Sequence, residues 1–304
     1  MMARRLFARP ARIAAIAPYL WMALFFLLPF AFVVKISLSQ TAIAQPPYVP
    51  VIAIAEGGWA GFKAALAQLS LDNFRLLISD NIYVLSYLRS LTVAAIATAI
   101  MLLIGYPIAY GMARLPARWQ PVAMVLVIVP FWTSFLIRIY AWINILQHDG
   151  LLNKTLMALR IVREPVTWLS TDTAMYIGIV YSYLPFMILP LYASLAKLDI
   201  GLLEAAADLG CSRLKAFWLV TVPISLPGVG AGVLLCFIPI VGEFVIPDLL
   251  AGSDRLMIGQ TLWLEFFTNK DWPVASATAV VLLAVLLIPL LVYQRLQQRQ
   301  LGTD

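Results

Sequence analysis

Six long apolar runs constrain this chain more than any other feature of its sequence. They occupy residues 13–36, 88–112, 121–146, 173–196, 224–247 and 273–293. Each is long enough for a helix to cross a hydrocarbon core of about 30 Å at about 1.5 Å per residue. Charged residues make up only 12% of the chain and hydrophobic residues 62%, whereas soluble proteins are about 25% charged. We therefore predict an all-α membrane protein in which six transmembrane helices form a single domain.

The first run is also compatible with a cleaved leader. Four arginines precede residues 13–36, and an Ala-x-Ala triplet follows at residues 42–44. A signal peptide has an apolar core of roughly 7–15 residues, whereas this run is longer and Lys35 separates it from the triplet. We therefore predict a retained first span. The polar segment at residues 37–85 is predicted to form a folded cap on the outer side of the membrane.

The distribution of basic residues predicts the orientation of the spans. With the N-terminus inside, the short inner segments carry eleven of the 21 lysines and arginines. These are Arg4, Arg5, Arg9, Arg12, Arg114, Arg118, Lys197, Arg213, Lys215, Arg295 and Arg299. The others lie in long outer loops or within spans, where they count less for topology. Both termini and the segment at residues 197–222 are therefore expected in the cytoplasm.

The cytoplasmic segment at residues 197–222 has the pattern of a docking element. Asp199 can cap a short helix that Gly210 can end in a left-handed conformation, and Ser212 can cap a second helix. Three consecutive alanines keep the side chains of the first helix short, so that a partner surface can come close. A loop that only joins two spans is usually polar throughout. The apolar and aromatic residues of this segment therefore favour docking.

The same segment resembles the EAA loop of ATP-binding-cassette (ABC) importer permeases. The resemblance rests on Glu204-Ala205-Ala206, on Gly210 four residues later, and on Pro223 beyond it. In that family the loop contains the coupling helix, which sits in a groove of the cytoplasmic ATPase. The resemblance implies that the ATPase docks on Glu204, Ala205, Ala206, Asp208 and Gly210. It also implies the type I ABC importer permease fold.

Six further stretches are similar to the membrane subunits of bacterial polyamine importers, particularly the putrescine type. They are Ile36-Ser37-Leu38-Ser39, residues 103–107, residues 132–138, residues 176–181, residues 241–247 and residues 266–273. This similarity implies that the chain moves polyamines from the periplasm to the cytoplasm across the bacterial inner membrane. Putrescine is favoured as the substrate, and a spermidine-preferring permease of the same family is the alternative.

The same similarity implies the partners of the chain. A second related permease would form a heterodimer with it, two cytoplasmic ATPase subunits would bind from inside, and a periplasmic polyamine-binding protein would deliver substrate. ATP and Mg²⁺ would bind the ATPase subunits, because this chain has no Gly-rich loop ending in Gly-Lys-Ser/Thr. No cofactor is expected in this chain.

A diamine that crosses a membrane needs carboxylates to neutralise it and aromatic faces to hold its ammonium groups. Glu243 lies in the fifth run, and Asp248 follows that run directly. The candidate aromatic residues are Trp132, Tyr140, Tyr181, Tyr183 and Phe244. For any single aromatic residue, packing or interfacial anchoring is the commoner role. The predicted substrate path consists of Glu243, Asp248, Trp132, Tyr140, Tyr181 and Phe244.

Arg138 offers a competing role for Glu243. Measured along straight helices, both residues lie at about the same depth, because Arg138 is 17 positions into the third run and Glu243 is 19 positions into the fifth. A charge inside a membrane span is usually paired or functional. We weigh an Arg138–Glu243 ion pair above a substrate role for Glu243.

Other functional classes have less support. A membrane hydrolase or lipid transferase needs a nucleophile–base set or a metal cluster, and His148 is the only histidine. A channel has no use for a segment that docks an ATPase. The net charge of +6 arises from scattered basic residues, which does not indicate nucleic-acid binding. The two cysteines, Cys211 and Cys236, are expected to pack rather than to pair.

Overall fold

The computed structural model of the chain describes residues 16, 18–51, 63, 65–252 and 256–300. The arginines used for orientation at positions 4, 5, 9 and 12, and the start of the predicted first span, lie outside these residues. The chain divides into two compact units. The first comprises Met1–Val84 and Leu262–Ala284, and the second comprises Leu85–Thr261 and Val285–Asp304.

Helices dominate the described part of the chain. In chain order they are α1 (Leu28–Ser37), α2 (Asp72–Ser79), α3 (Asn81–Arg114), α4 (Gln120–Ile128), α5 (Phe135–Leu146), α6 (Leu151–Ala158), α7 (Asp172–Leu195), α8 (Ile200–Asp208), α9 (Arg213–Ala216), α10 (Val222–Val241), α11 (Val245–Leu250), α12 (Ile258–Trp263) and α13 (Trp272–Gln300). Turns of π-helix extend several of them, at Ala23–Leu27, Phe217–Thr221 and Leu264–Thr268. The two short strands are β1 (Gln40–Thr41) and β2 (Tyr48–Val49).

The described helices include enough long apolar segments for six membrane spans. Five are continuous: Pro18–Ser37, Asn81–Arg114, Asp172–Leu195, Arg213–Val241 and Trp272–Arg295. The pair Gln120–Trp132 and Phe135–Ala158 supplies a sixth if it is counted as one bent span. This confirms the predicted fold class, an all-α membrane protein.

The third span bends far more sharply than the kink that Pro130 in its sequence predicts. Its two halves meet at an angle of 86°. The first half ends in a 3₁₀ turn, Val129–Trp132, that contains Pro130. Thr133 and Ser134 are then extended, with ψ angles of 152° and 139°. The Thr133 hydroxyl donates a hydrogen bond of 2.8 Å to the carbonyl of Pro130, which satisfies one of the carbonyls that the break leaves free.

The first unit has a small apolar core beside a two-stranded hairpin. Leu77, Tyr83, Val274 and Ala277 are buried together. In the hairpin, β1 and β2 are antiparallel. The Thr41 hydroxyl donates a hydrogen bond of 2.7 Å to Asp271 Oδ1. The part of the predicted cap that the structure describes therefore contains folded elements held by polar contacts.

In the second unit, α7 and α10 pack closely along their length. The approach requires glycine at two positions of α10. A Cβ atom on Gly228 would lie 2.8 Å from the Pro190 carbonyl oxygen, and one on Gly232 would lie 2.8 Å from Met187 Sδ. Small residues are typical where transmembrane helices come together, because they let backbones approach.

We expect Gly228→Val to destabilise the chain by about 1–3 kcal/mol, because the added atoms would meet backbone that cannot move aside. Thermal unfolding of the purified chain in detergent would measure the change. Gly111→Val is a matched control, since a Cβ at Gly111 has no atom within 4 Å. Equal stability of the two variants would contradict the close approach of α7 and α10.

Candidate functional site

The segment that resembles a coupling loop is built by local capping. Asp199 Oδ1 accepts a hydrogen bond of 2.9 Å from the backbone N–H of Gly201 at the start of α8. Gly210 follows the helix with a φ of +77°, a left-handed conformation that a residue with a Cβ rarely adopts. Ser212 Oγ accepts from the N–H of Lys215 at the start of α9. These contacts confirm the caps that the sequence predicts.

The segment at residues 197–222 exposes apolar side chains, although a segment that joins two membrane spans is usually polar. No residue of α8 is buried, and the side chains of Glu204, Ala205 and Asp208 are exposed while Ala206 is half-buried. Large apolar side chains are also exposed in this segment. They include Leu202 at 47% and Leu209 at 89%. All five residues implied to dock the ATPase therefore lie on or directly after one accessible helix.

Glu243 lies in a break between two helices and not inside a continuous helix. It is only 8% exposed. Its Oε1 accepts hydrogen bonds from the N–H groups of Val245 at 3.0 Å and Ile246 at 3.3 Å, at the start of α11. Its Oε2 accepts a hydrogen bond from the hydroxyl of Tyr183 on α7. Both carboxylate oxygens are thus occupied within the chain, and Glu243 joins α7 to the α10–α11 break.

The predicted Arg138–Glu243 ion pair is wrong. The one ion pair between described residues joins Arg89 to Asp172, at 2.6 Å. The Arg138 guanidinium lies 4.5 Å from the centroid of the Phe131 ring, and its Nε and Nη1 atoms are buried without a hydrogen-bond partner among the described residues. The depth comparison fails because it assumes two straight helices, whereas the third span bends before Arg138 and the fifth ends before Glu243.

The other residues of the predicted substrate path do not converge on Glu243 through described contacts. Trp132 is 78% exposed and Tyr140 is 54% exposed. The ring of Tyr181 packs edge-on against Trp142 at 5.3 Å. Asp248 is exposed on α11, and Phe244 is half-buried in the break itself. The aromatic residue that contacts the carboxylate of Glu243 is Tyr183.

Sequence reasoning missed a cavity that α8 forms with the end of α3. Arg114 and Glu204 both line it, but they are far apart in sequence. The only indication was that Arg114 closely follows the long apolar run at residues 88–112. Among the residues that the structure describes, no group of three or more His, Cys, Asp or Glu side chains is placed to hold a metal ion.

The chain is similar to characterised transport proteins over most of its length. Residues 101–301 match the family described as binding-protein-dependent transport system inner membrane component. The spermidine/putrescine transport system permease protein PotB of Escherichia coli (strain K12) is 43% identical over 226 residues, which cover 74% of this chain and 82% of that protein. PotB of Haemophilus influenzae is 40% identical over 227 residues, which cover 75% of this chain and 79% of that protein.

A solved structure shares the fold. It is the crystal structure of a bacterial alginate ABC transporter in complex with an alginate pentasaccharide-bound periplasmic protein. One of its chains superposes with a TM-score of 0.73 at 14% identity, covering 99% of this chain and 98% of that chain. The chain therefore belongs to the family of binding-protein-dependent transport system inner membrane components, the permease subunits of ABC transporters, and not to a family of enzymes.

Proposed function

We propose that this chain is a permease subunit of an ABC importer that moves polyamines from the periplasm to the cytoplasm, with putrescine preferred over spermidine. Polyamines are proposed as the substrate class because the chain is 43% identical to a spermidine/putrescine permease over 74% of its length. The preference for putrescine rests on the sequence similarity to putrescine-type membrane subunits.

The proposed assembly contains a second related permease, two cytoplasmic ATPase subunits that bind ATP and Mg²⁺, and a periplasmic polyamine-binding protein. The chain would lie in the bacterial inner membrane with both termini in the cytoplasm. The alginate transporter of the same fold binds a periplasmic protein, which supports delivery of substrate by a binding protein. The exposed apolar side chains of α8 and of Leu209 directly after it support docking of an ATPase on Glu204, Ala205, Ala206, Asp208 and Gly210.

The hydrogen bonds of Glu243 favour a structural role for this residue over its predicted role in the substrate path. Both of its carboxylate oxygens already accept hydrogen bonds from the chain, so we assign it to holding the helix break. Asp248 is exposed on α11 and is the acid that we propose to meet the diamine. Trp132, Tyr140, Tyr181 and Phe244 remain candidates for the aromatic surface that holds ammonium groups.

Competition uptake tests this function. Cells that lack other polyamine importers would express the chain with its partner subunits and take up labelled putrescine, with unlabelled putrescine or spermidine as competitor. We expect both polyamines to compete, and putrescine to compete at the lower concentration. Stronger competition by spermidine would overturn the preference alone. Uptake that depends on the chain but is insensitive to both competitors would overturn the substrate class.

A further inference from the structure

The cavity between the segment at residues 197–222 and the end of α3 holds two buried hydrogen-bond donors. Its volume is about 490 Å³, and α8, the residues around α9, and the last turns of α3 line it. Thr221, only 1% exposed, and Arg114 both line it. The Thr221 Oγ1 and Arg114 Nη2 atoms are buried without a hydrogen-bond partner among the described residues. Such donors are rare in native structures, because leaving them unpaired is costly.

The Arg114 guanidinium lies over one aromatic ring. Its central carbon lies 5.1 Å from the centroid of the Tyr110 ring. The Tyr110 ring packs edge-on against Phe217 at 5.8 Å, and both rings line the cavity. A guanidinium that rests on an aromatic face loses less conformational freedom when it binds a ligand. Arg114 is therefore pre-positioned to donate hydrogen bonds.

The charged side chains that line the cavity favour binding of an anion. Two guanidinium groups, those of Arg114 and Arg213, line it together with one carboxylate, that of Glu204. None of the three is in an ion pair with a described residue. A guanidinium beside a hydroxyl donor suits the oxygens of a phosphate group, which can accept several hydrogen bonds at once.

We propose that this cavity binds a phosphate group. Arg114 is the last residue of the span Asn81–Arg114, so the headgroup of an anionic phospholipid and a free phosphate are both possible sources. A phosphate bound to Arg114 and Thr221 would tie the end of α3 to the segment that follows α8. Phosphate binding here is independent of which substrate the permease moves.

Native mass spectrometry of the full chain, released from detergent micelles, tests the site. One arm would titrate inorganic phosphate, and the other would titrate dioctanoyl phosphatidylglycerol. We expect Arg114→Gln to weaken binding about tenfold, because it removes a charge-assisted hydrogen bond. Thr221→Val keeps the shape of the side chain and should weaken binding several-fold. Arg118→Gln removes a charge from an exposed residue that does not line the cavity, and should bind as the unaltered chain does.

The two arms distinguish the source of the phosphate. If both probes bind and depend on Arg114 and Thr221, a free phosphate suffices. If only the lipid binds with that dependence, the headgroup is the ligand. The proposal is overturned if neither probe binds the unaltered chain, if both cavity variants bind normally, or if Arg118→Gln loses as much affinity as Arg114→Gln. Should Arg114→Gln fail to fold, Thr221→Val alone decides.

Discussion

Replacing Ala206 with tryptophan is expected to abolish most ATP-dependent uptake while the permease still reaches the membrane. Ala206 lies on α8, where no residue is buried and where the proposed ATPase contact needs short side chains. A bulky side chain in a packed contact costs about 1–3 kcal/mol, which corresponds to roughly 5-fold to 150-fold in affinity. Uptake and ATP hydrolysis by the reconstituted complex, measured side by side, would reveal the uncoupling.

Ala117→Trp is the matched control for this change. Ala117 is exposed in the short segment between α3 and α4, outside the proposed docking helix. The Ala117→Trp variant carries the same substitution in the other short segment that we expect in the cytoplasm. It should leave uptake close to that of the unaltered permease. Normal uptake by a fully expressed Ala206→Trp permease, or an equal loss in Ala117→Trp, would remove α8 from the coupling contact.

Replacing Glu243 with alanine is expected to destabilise the chain strongly. The change removes the acceptor for the N–H groups of Val245 and Ile246 and the partner of the Tyr183 hydroxyl. A lost helix cap costs about 0.5–2 kcal/mol, and a buried group left unpaired costs about 1–3 kcal/mol. Thermal unfolding in detergent should therefore show a loss of several kcal/mol, and Glu243→Gln should show a smaller one.

Two further variants separate the possible roles of Glu243. Tyr183→Phe removes the hydroxyl, so combining it with Glu243→Ala should cost less than the sum of the two single changes. Arg138→Gln should not rescue Glu243→Gln, because the two residues form no ion pair. Rescue by Arg138→Gln would restore the ion-pair hypothesis. A Glu243→Gln permease of unaltered stability that binds putrescine more weakly would instead restore the substrate role.

Structural features that depend only on residues close together in the sequence could be predicted from it. The long apolar runs predict membrane-spanning helices, because the length of an apolar helix and the thickness of the bilayer decide this without tertiary contacts. The caps of α8 and α9 were predicted for the same reason. Asp199 bonds the N–H two residues later, Ser212 bonds the one three residues later, and Gly210 needs only its missing Cβ to adopt its left-handed turn.

Structural features that depend on contacts between residues far apart in the sequence were decided by the tertiary structure. The third span bends because Thr133 and Ser134 take extended conformations, and proline alone did not distinguish a bend of 86° from a mild kink. The partner of Glu243 on α7 is Tyr183, 60 residues away, and not the arginine at the same estimated depth. Arg114 and Thr221 are also far apart in the sequence, and the packing of their helices brings them to one cavity. Hydropathy and capping are local properties, whereas the partner of a buried polar group depends on where helices break and pack.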